Sequence, residues 1–213
     1  MKEIALPTGH HESESSLVQR GRRLEYLTIG WNLVEASISA AAGLAAGSIA
    51  LVGFGIDALI ETASGLTLLW RLQDGPHGQR REERALRLVG VSFLALAAYV
   101  GWEAIETLRT REAPESSPIG IAIATLSLLV MPFLARAKRK VARQLGSQAL
   151  EADSRQTNLC AWLSAILLFG LLCNSLAGWW WADPVAALGM TPIILREAWL
   201  ALQGKPCHDC HAA

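Results

Sequence analysis

The sequence predicts an all-α membrane protein, a bundle of six transmembrane helices with both chain termini in the cytoplasm. Of its 213 residues, 52% are hydrophobic, and the mean hydropathy is +0.30. The apolar residues are gathered into runs close to the roughly 20 residues that a spanning helix requires. Basic residues are concentrated in alternate connections between those runs, as expected when these connections face the cytoplasm.

The apolar runs divide the chain into three parts. Residues 1–23 are polar and without an apolar core, so we expect a cytoplasmic tail and no cleavable signal peptide. Residues 24–203 form the predicted six-helix domain, and residues 204–213 form a second cytoplasmic tail. The six segments cover residues 24–47, 53–71, 88–108, 119–135, 146–176 and 184–202, and segment five opens with the polar stretch GSQALEADSRQTN before its apolar run at residues 159–176. Pro132 is expected to bend the last turn of segment four.

The charge distribution gives the orientation. The turns after segments one and five contain no basic residue, whereas the connections after segments two and four are rich in arginine and lysine. The second of these basic runs contains Arg136, Lys138, Arg139, Lys140 and Arg143. The net charge is zero and says nothing about partners. We expect membrane lipid and no nucleic acid as partners, and a bacterial inner (plasma) membrane as the location.

Segment two holds the main candidate site. Asp57 and Glu61 are four residues apart within an apolar stretch, so they share one helical face. A carboxylate at the centre of a bilayer costs about 2.5–3.5 kcal/mol on insertion scales, and two close together repel each other. A bound cation would offset both costs. The alternative is that neighbouring helices satisfy the two carboxylates as buried polar groups.

Segment five offers a second set of ligands. Asp153, Gln156 and Cys160 follow one another at spacings of three and four, and Gln156 and Cys160 repeat the spacing of Asp57 and Glu61. Two carboxylates, an amide oxygen and a thiolate suit zinc better than magnesium or calcium. The alternative is that Cys160 packs as a small hydrophobic residue and Gln156 makes an interhelical hydrogen bond.

Three further acids are candidates for accessory ligands or for an ion pathway. Glu35 lies inside segment one, and Glu151 and Asp153 lie at the cytoplasmic end of segment five. Acids inside a membrane segment usually have a function. Glu35 could instead pair with a basic residue elsewhere in the chain.

The chain resembles the cation diffusion facilitators over residues 24–202. The resemblance is carried by GSIALVGFGIDALIETASG in segments one and two, ALEADSRQTNLCAWLS in segment five and WWADPVAAL at the start of segment six. It implies a six-helix transporter of divalent metal ions, usually a homodimer, and not an enzyme. It places one pair of metal ligands at Asp57 and Glu61, and a second pair at Gln156 and Cys160.

Two departures from the family pattern affect these expectations. The second pair is usually histidine and aspartate, and Gln156 cannot take up or release a proton, so exchange of the metal for protons stays open. Few residues follow segment six in this sequence, so we expect a short six-helix member without the usual cytoplasmic C-terminal domain. We expect the substrate to be Zn²⁺, exported from the cytoplasm by alternating access.

The C-terminal tail is a second candidate metal site. Cys207, His208, Cys210 and His211 have spacings that suit a soft metal ion, and the string also has the C-x-x-C-H form of a haem attachment site. Two other functions remain open. The chain could be a membrane protein that binds a metal without transporting it, or a membrane redox protein that uses the paired tail cysteines.

Overall fold

The computed structural model describes residues 9–71, 79–111, 115 and 117–203, which form six α-helices and no strand. The helices are α1 (Gly9–Ala46), α2 (Ile49–Arg71), α3 (Gln79–Thr110), α4 (Pro118–Leu145), α5 (Gln148–Ala177) and α6 (Ala182–Leu202). The most extensive packing joins α4 with α5, α1 with α2, and α3 with α6. The predicted six-helix bundle is therefore confirmed.

The bundle has polar groups in its interior and large apolar side chains on its surface. Phe133, Trp162 and Phe169 are more than 60% exposed, whereas Glu25, Glu35 and Lys138 are fully buried. This arrangement would be unfavourable in water, but it suits a bilayer, where lipid covers the apolar surface. Within the described residues, three stretches are long and apolar enough to cross a membrane: Ile49–Leu69, Pro118–Leu145 and Asp153–Ala177.

Glycines allow α1 and α2 to pack closely. A Cβ atom at Gly55 would lie 3.1 Å from the backbone nitrogen of Ala40, and one at Gly65 would lie 3.2 Å from Oε2 of Glu25. The two helices are antiparallel, so these contacts at residues 55 and 65 lie on either side of Asp57 and Glu61. Small residues at such a contact let membrane helices approach each other. The contact brings the α1 side chains between Glu25 and Ala40 close to the two acids.

Asp183, at the start of α6, is hydrogen-bonded to the N-terminal end of α2. Its carboxylate accepts hydrogen bonds from Ser48 Oγ at 2.5 Å and from the backbone nitrogen of Ala50 at 3.3 Å. Ser48 also caps the helix by accepting from the backbone nitrogen of Leu51. An anion at a helix N-terminus is favourable because the first backbone N–H groups have no partner within the helix. Asp183 therefore ties the start of α6 to the start of the helix that carries the candidate site.

Several helices are longer than the apolar segments predict. Helix α1 begins at Gly9, and α4 continues to Leu145, so the basic run at residues 136–143 is helical and Pro132 lies inside α4 rather than in its last turn. Helix α5 begins at Gln148, after the N-cap Ser147 and the left-handed residue Gly146, and so includes the polar opening predicted for segment five. The extensions are rich in Glu, Gln, Lys and Arg, which favour helix without being apolar. Hydropathy alone therefore underestimates the lengths of these helices.

Candidate metal site

The two acids of α2 are buried inside the bundle. Asp57 and Glu61 keep only 4% and 2% of their surface exposed, and their carboxylates lie close enough to Glu35 for the three charges to repel one another. Repulsion between buried like charges is strong because there is little water to screen it. A bound cation, or protonation of the acids, would relieve this repulsion.

Glu35 brings helix α1 into the same site. Its Oε2 accepts hydrogen bonds from Trp31 Nε1 at 2.6 Å and from Ser127 Oγ of α4. Its Oε1 lies 3.4 Å from the Sγ atom of Cys160 on α5. The carboxylate of Glu35 therefore contacts side chains from α1, α4 and α5. The α5 side chain is Cys160, the candidate soft ligand.

The inward face of α5 is set by Asp153, Thr157, Cys160 and Ser164, all of which are buried. Their spacings of four, three and four place them on one stripe of the helix. Gln156 is only half-buried and lies beside this stripe. Its Nε2 atom is buried without a hydrogen-bond partner in the described structure. Cys160 therefore lies on the buried stripe in contact with Glu35, and Gln156 lies next to that stripe.

A buried ion cluster lies next to these groups. The Nζ atom of Lys138 is 3.1 Å from Glu25 Oε2, 2.5 Å from Asp153 Oδ2 and 3.2 Å from Thr157 Oγ1. Thr157 in turn donates a hydrogen bond of 2.6 Å to Glu61 Oε1. A buried ammonium group is stable only when it is paired and hydrogen-bonded in this way. The cluster joins α1, α4 and α5 and reaches α2 through Thr157.

The structure separates the predicted residues into groups. Cys160 contacts Glu35 in the interior, Asp57 and Glu61 are buried on α2 nearby, and Asp153 is held by Lys138. Glu151 is partly exposed, and its Oε1 lies 3.7 Å from Arg155. The tail residues Cys207, His208, Cys210 and His211 lie outside the described residues.

The acids of the site are engaged with neighbouring side chains. Within the described residues, no three His, Cys, Asp or Glu side chains are grouped closely enough to hold a metal ion together. Glu61 Oε2, however, is buried and has no hydrogen-bond partner there. To bind one ion jointly, these side chains would have to lie closer to one another than they do in this structure. The donor chemistry fits a metal ion, and ligation requires side-chain movement.

Sequence reasoning missed several polar residues of this interior. Beside the predicted Glu35, helix α1 carries four more buried polar residues on the same stripe: Glu25, Thr28, Asn32 and Ser39. Its spacing of three and four is visible in the sequence and could have indicated that α1 faces the site. Thr157 lies four residues after Asp153 and three before Cys160, which is a similar signal. Lys138 lies in a run of basic residues, and nothing in the sequence distinguishes it from them as a buried residue.

Comparison with known proteins gives the family. The cation efflux transmembrane domain matches residues 26–202. An uncharacterized transporter of Synechocystis sp. is 25% identical over 173 residues, covering 77% of this chain and 56% of that protein. Zinc transporter ZitB of Escherichia coli is 28% identical over 219 residues, covering 91% of this chain and 64% of that protein.

A vertebrate relative extends the range of similar proteins. Transmembrane protein 163 of Xenopus laevis is 28% identical over 132 residues, covering 61% of this chain and 47% of that protein. The chain thus matches less than two thirds of the length of each of these relatives. The domain match nevertheless includes more than half of α1 and all of the helices from α2 to α6. On the strength of that match, and in agreement with the resemblance seen in its motifs, the chain belongs to the cation efflux family.

Proposed function

We propose that this protein transports divalent metal cations of the zinc type across a membrane, and exports them from the cytoplasm. The observation that carries the proposal is the burial of Asp57 and Glu61 on α2, near the contact between Cys160 on α5 and Glu35 on α1, inside a bundle whose surface is apolar. Intramembrane acids of this kind mark ion pathways in membrane proteins. The zinc transporter among the relatives supports the same substrate class.

The ligand set favours zinc or cadmium over harder ions. Asp57 and Glu61 supply carboxylate oxygens, and Cys160 supplies a sulfur that binds a metal ion as the thiolate. Sulfur selects soft or borderline ions, whereas magnesium and manganese prefer oxygen alone. Gln156 adds a neutral carbonyl oxygen from the edge of the site, and Glu35 is the nearest additional carboxylate to Cys160.

Transport would proceed by alternating access. The ion would bind between α2 and α5, and relative movement of the helices would then open the site to the opposite side. Protons arriving on Asp57, Glu61 or Cys160 would release the metal and reset the charge of the site. The basic C-terminal part of α4 would face the cytoplasm with both termini, as the positive-inside rule requires. The proposal includes a homodimer, which crosslinking in native membranes would test.

Transport into sealed vesicles tests the proposal directly. Purified protein in proteoliposomes should accumulate zinc or cadmium under a pH gradient, and manganese should be taken up less well. Asp57→Asn removes one charge with little change of volume, and it should abolish uptake while the protein still inserts and elutes as a folded species. Unchanged uptake in Asp57→Asn would refute the site. Tight binding to the wild-type protein without uptake would instead indicate a membrane protein that binds metal without transporting it.

A further inference from the structure

We propose that Thr157 and Lys138 are positioning residues that hold Glu61 by one oxygen and leave its other oxygen to bind the transported ion. The inference deepens the proposed function and rests on it. It concerns two side chains that the ligand motifs do not include, on α5 and α4. Both are fully buried, and together they connect Glu61 to the ion cluster of Glu25 and Asp153.

The direction of each hydrogen bond follows from the chemistry of the groups. An ammonium group only donates, so Thr157 Oγ1 must accept from Lys138 Nζ at 3.2 Å. The threonine hydroxyl therefore keeps its single proton for another acceptor. Two acceptors are near it, Glu61 Oε1 at 2.6 Å and the backbone oxygen of Asp153 at 3.3 Å. The shorter bond to the carboxylate takes the proton, because charge-assisted bonds are the stronger ones.

Lys138 holds Thr157 in this orientation. Its ammonium group is bonded to Glu25 and Asp153 as well as to Thr157, so all three of its N–H bonds have an acceptor. With Lys138 as a donor on one side, the hydroxyl proton points to Glu61 on the other. The positive charge of Lys138 also counteracts the repulsion between the carboxylates of Glu61 and Asp153. A loss of Lys138 would thus affect Glu61 through Thr157 and through space.

The two carboxylate oxygens of Glu61 therefore have different roles. Oε1 is held by Thr157, whereas Oε2 is buried and has no hydrogen-bond partner in the described structure. A buried carboxylate oxygen without a partner is costly, and a metal ion would satisfy it. A ligand carboxylate that is itself hydrogen-bonded is held in orientation, and loss of such an outer partner typically lowers metal affinity by about 10–100-fold.

Substitution of Thr157 tests this arrangement with a matched control. Thr157→Val removes the hydroxyl at nearly constant volume, and Thr157→Ser keeps it. Thr125→Val is the control, because the hydroxyl of Thr125 is exposed and bonds only to the backbone oxygen of Ile121 within its own helix. Zinc binding to the purified protein would be measured by titration calorimetry, and folding by thermal unfolding in detergent.

We expect Thr157→Val to weaken zinc binding about tenfold or more, and Thr157→Ser and Thr125→Val to leave it close to the wild-type value. Replacing the whole ion cluster with Lys138→Met, Glu25→Gln and Asp153→Asn leaves no unpaired charge within the cluster itself and should weaken binding similarly. Equal affinity of Thr157→Val and wild type would overturn the inference while the proposed function stands. No zinc binding by wild type would overturn both.

Infrared difference spectroscopy of the metal-free protein gives a readout that does not depend on transport. Glu61→Gln identifies the band of the Glu61 carboxyl group. Thr157→Val should shift that band because it removes the hydrogen bond to Oε1, and Thr157→Ser should restore its position. A band that stays in place in Thr157→Val would show that the hydroxyl does not hold Glu61.

Discussion

The thiol of Cys160 on α5 lies 3.4 Å from Oε1 of Glu35 on α1, although 125 residues separate them in the sequence. A site assembled only from motif pairs would contain α2 and α5 alone. The contact adds α1, whose carboxylate is held from the other side by Trp31 and Ser127. Glu35 is therefore placed either to orient Cys160 or to bind the ion with it, and both roles can be tested.

Replacement of Cys160 should change metal preference. Cys160→Ser removes the soft ligand, and we expect affinity for zinc and cadmium to fall at least about tenfold. Cys160→Asp should shift preference toward harder ions such as manganese, because a carboxylate oxygen replaces sulfur. Competition between metals for the purified protein measures both effects. Unchanged zinc binding and selectivity in Cys160→Ser would show that the thiol only packs.

Glu35→Gln tests the participation of α1. The substitution keeps the volume and removes a charge that lies beside Cys160, so zinc affinity should fall by about 10–100-fold whether Glu35 binds the ion or orients Cys160. Glu106→Gln makes the same change at an exposed position of α3 and serves as control. Equal zinc affinity in the two variants would exclude Glu35 from the site.

Restoring the usual family pair should alter the response to pH. Gln156→His with Cys160→Asp supplies an imidazole, which changes charge near neutral pH. We expect zinc uptake to persist and to become more sensitive to pH between about 5.5 and 7.5, because protonation of the imidazole competes with the metal. Uptake at several external pH values, compared with Cys160→Asp alone, measures the contribution of the histidine. Identical pH profiles would mean that position 156 does not face the ion.

The packing of α1 on α2 should depend on Gly43. A Cβ atom there would lie 2.8 Å from the backbone nitrogen of Val52, which can move away only if the helices separate. Gly43→Ala should therefore destabilise the protein by about 1–3 kcal/mol. Gly30→Ala on the same helix has open space around it and is the matched control. Thermal unfolding in detergent would compare them, and equal stability would contradict the close contact.

The orientation in the membrane can be tested by labelling single cysteines from each side. Ser175→Cys, near Gly178, and Glu115→Cys should react with an impermeant reagent added outside the cell, and so should a cysteine near Ala46. Lys140→Cys and Gln79→Cys should react only from the cytoplasmic side. Lys138 is fully buried and is unsuitable as a reporter. Labelling of Lys140→Cys from outside would reverse the proposed direction of transport.

The sequence by itself determined the fold class, the number of helices and the α2 pair, because apolar runs and the spacing of Asp57 and Glu61 are local features. The motifs also gave the family, which the domain match confirms. They did not give the helix lengths, since the charged ends of α1, α3 and α4 are helical without being apolar.

Only the tertiary structure decided which polar groups meet. Lys138 is surrounded by arginine and lysine residues that are accessible to solvent, and the sequence alone gives no reason to separate it from them. It is buried because the rotation of α4 against α1 and α5 points this one side chain at Glu25 and Asp153. Thr157 meets Glu61, and Cys160 meets Glu35, for the same reason. Such contacts depend on how helices far apart in sequence rotate and pack, and local sequence patterns do not specify that geometry.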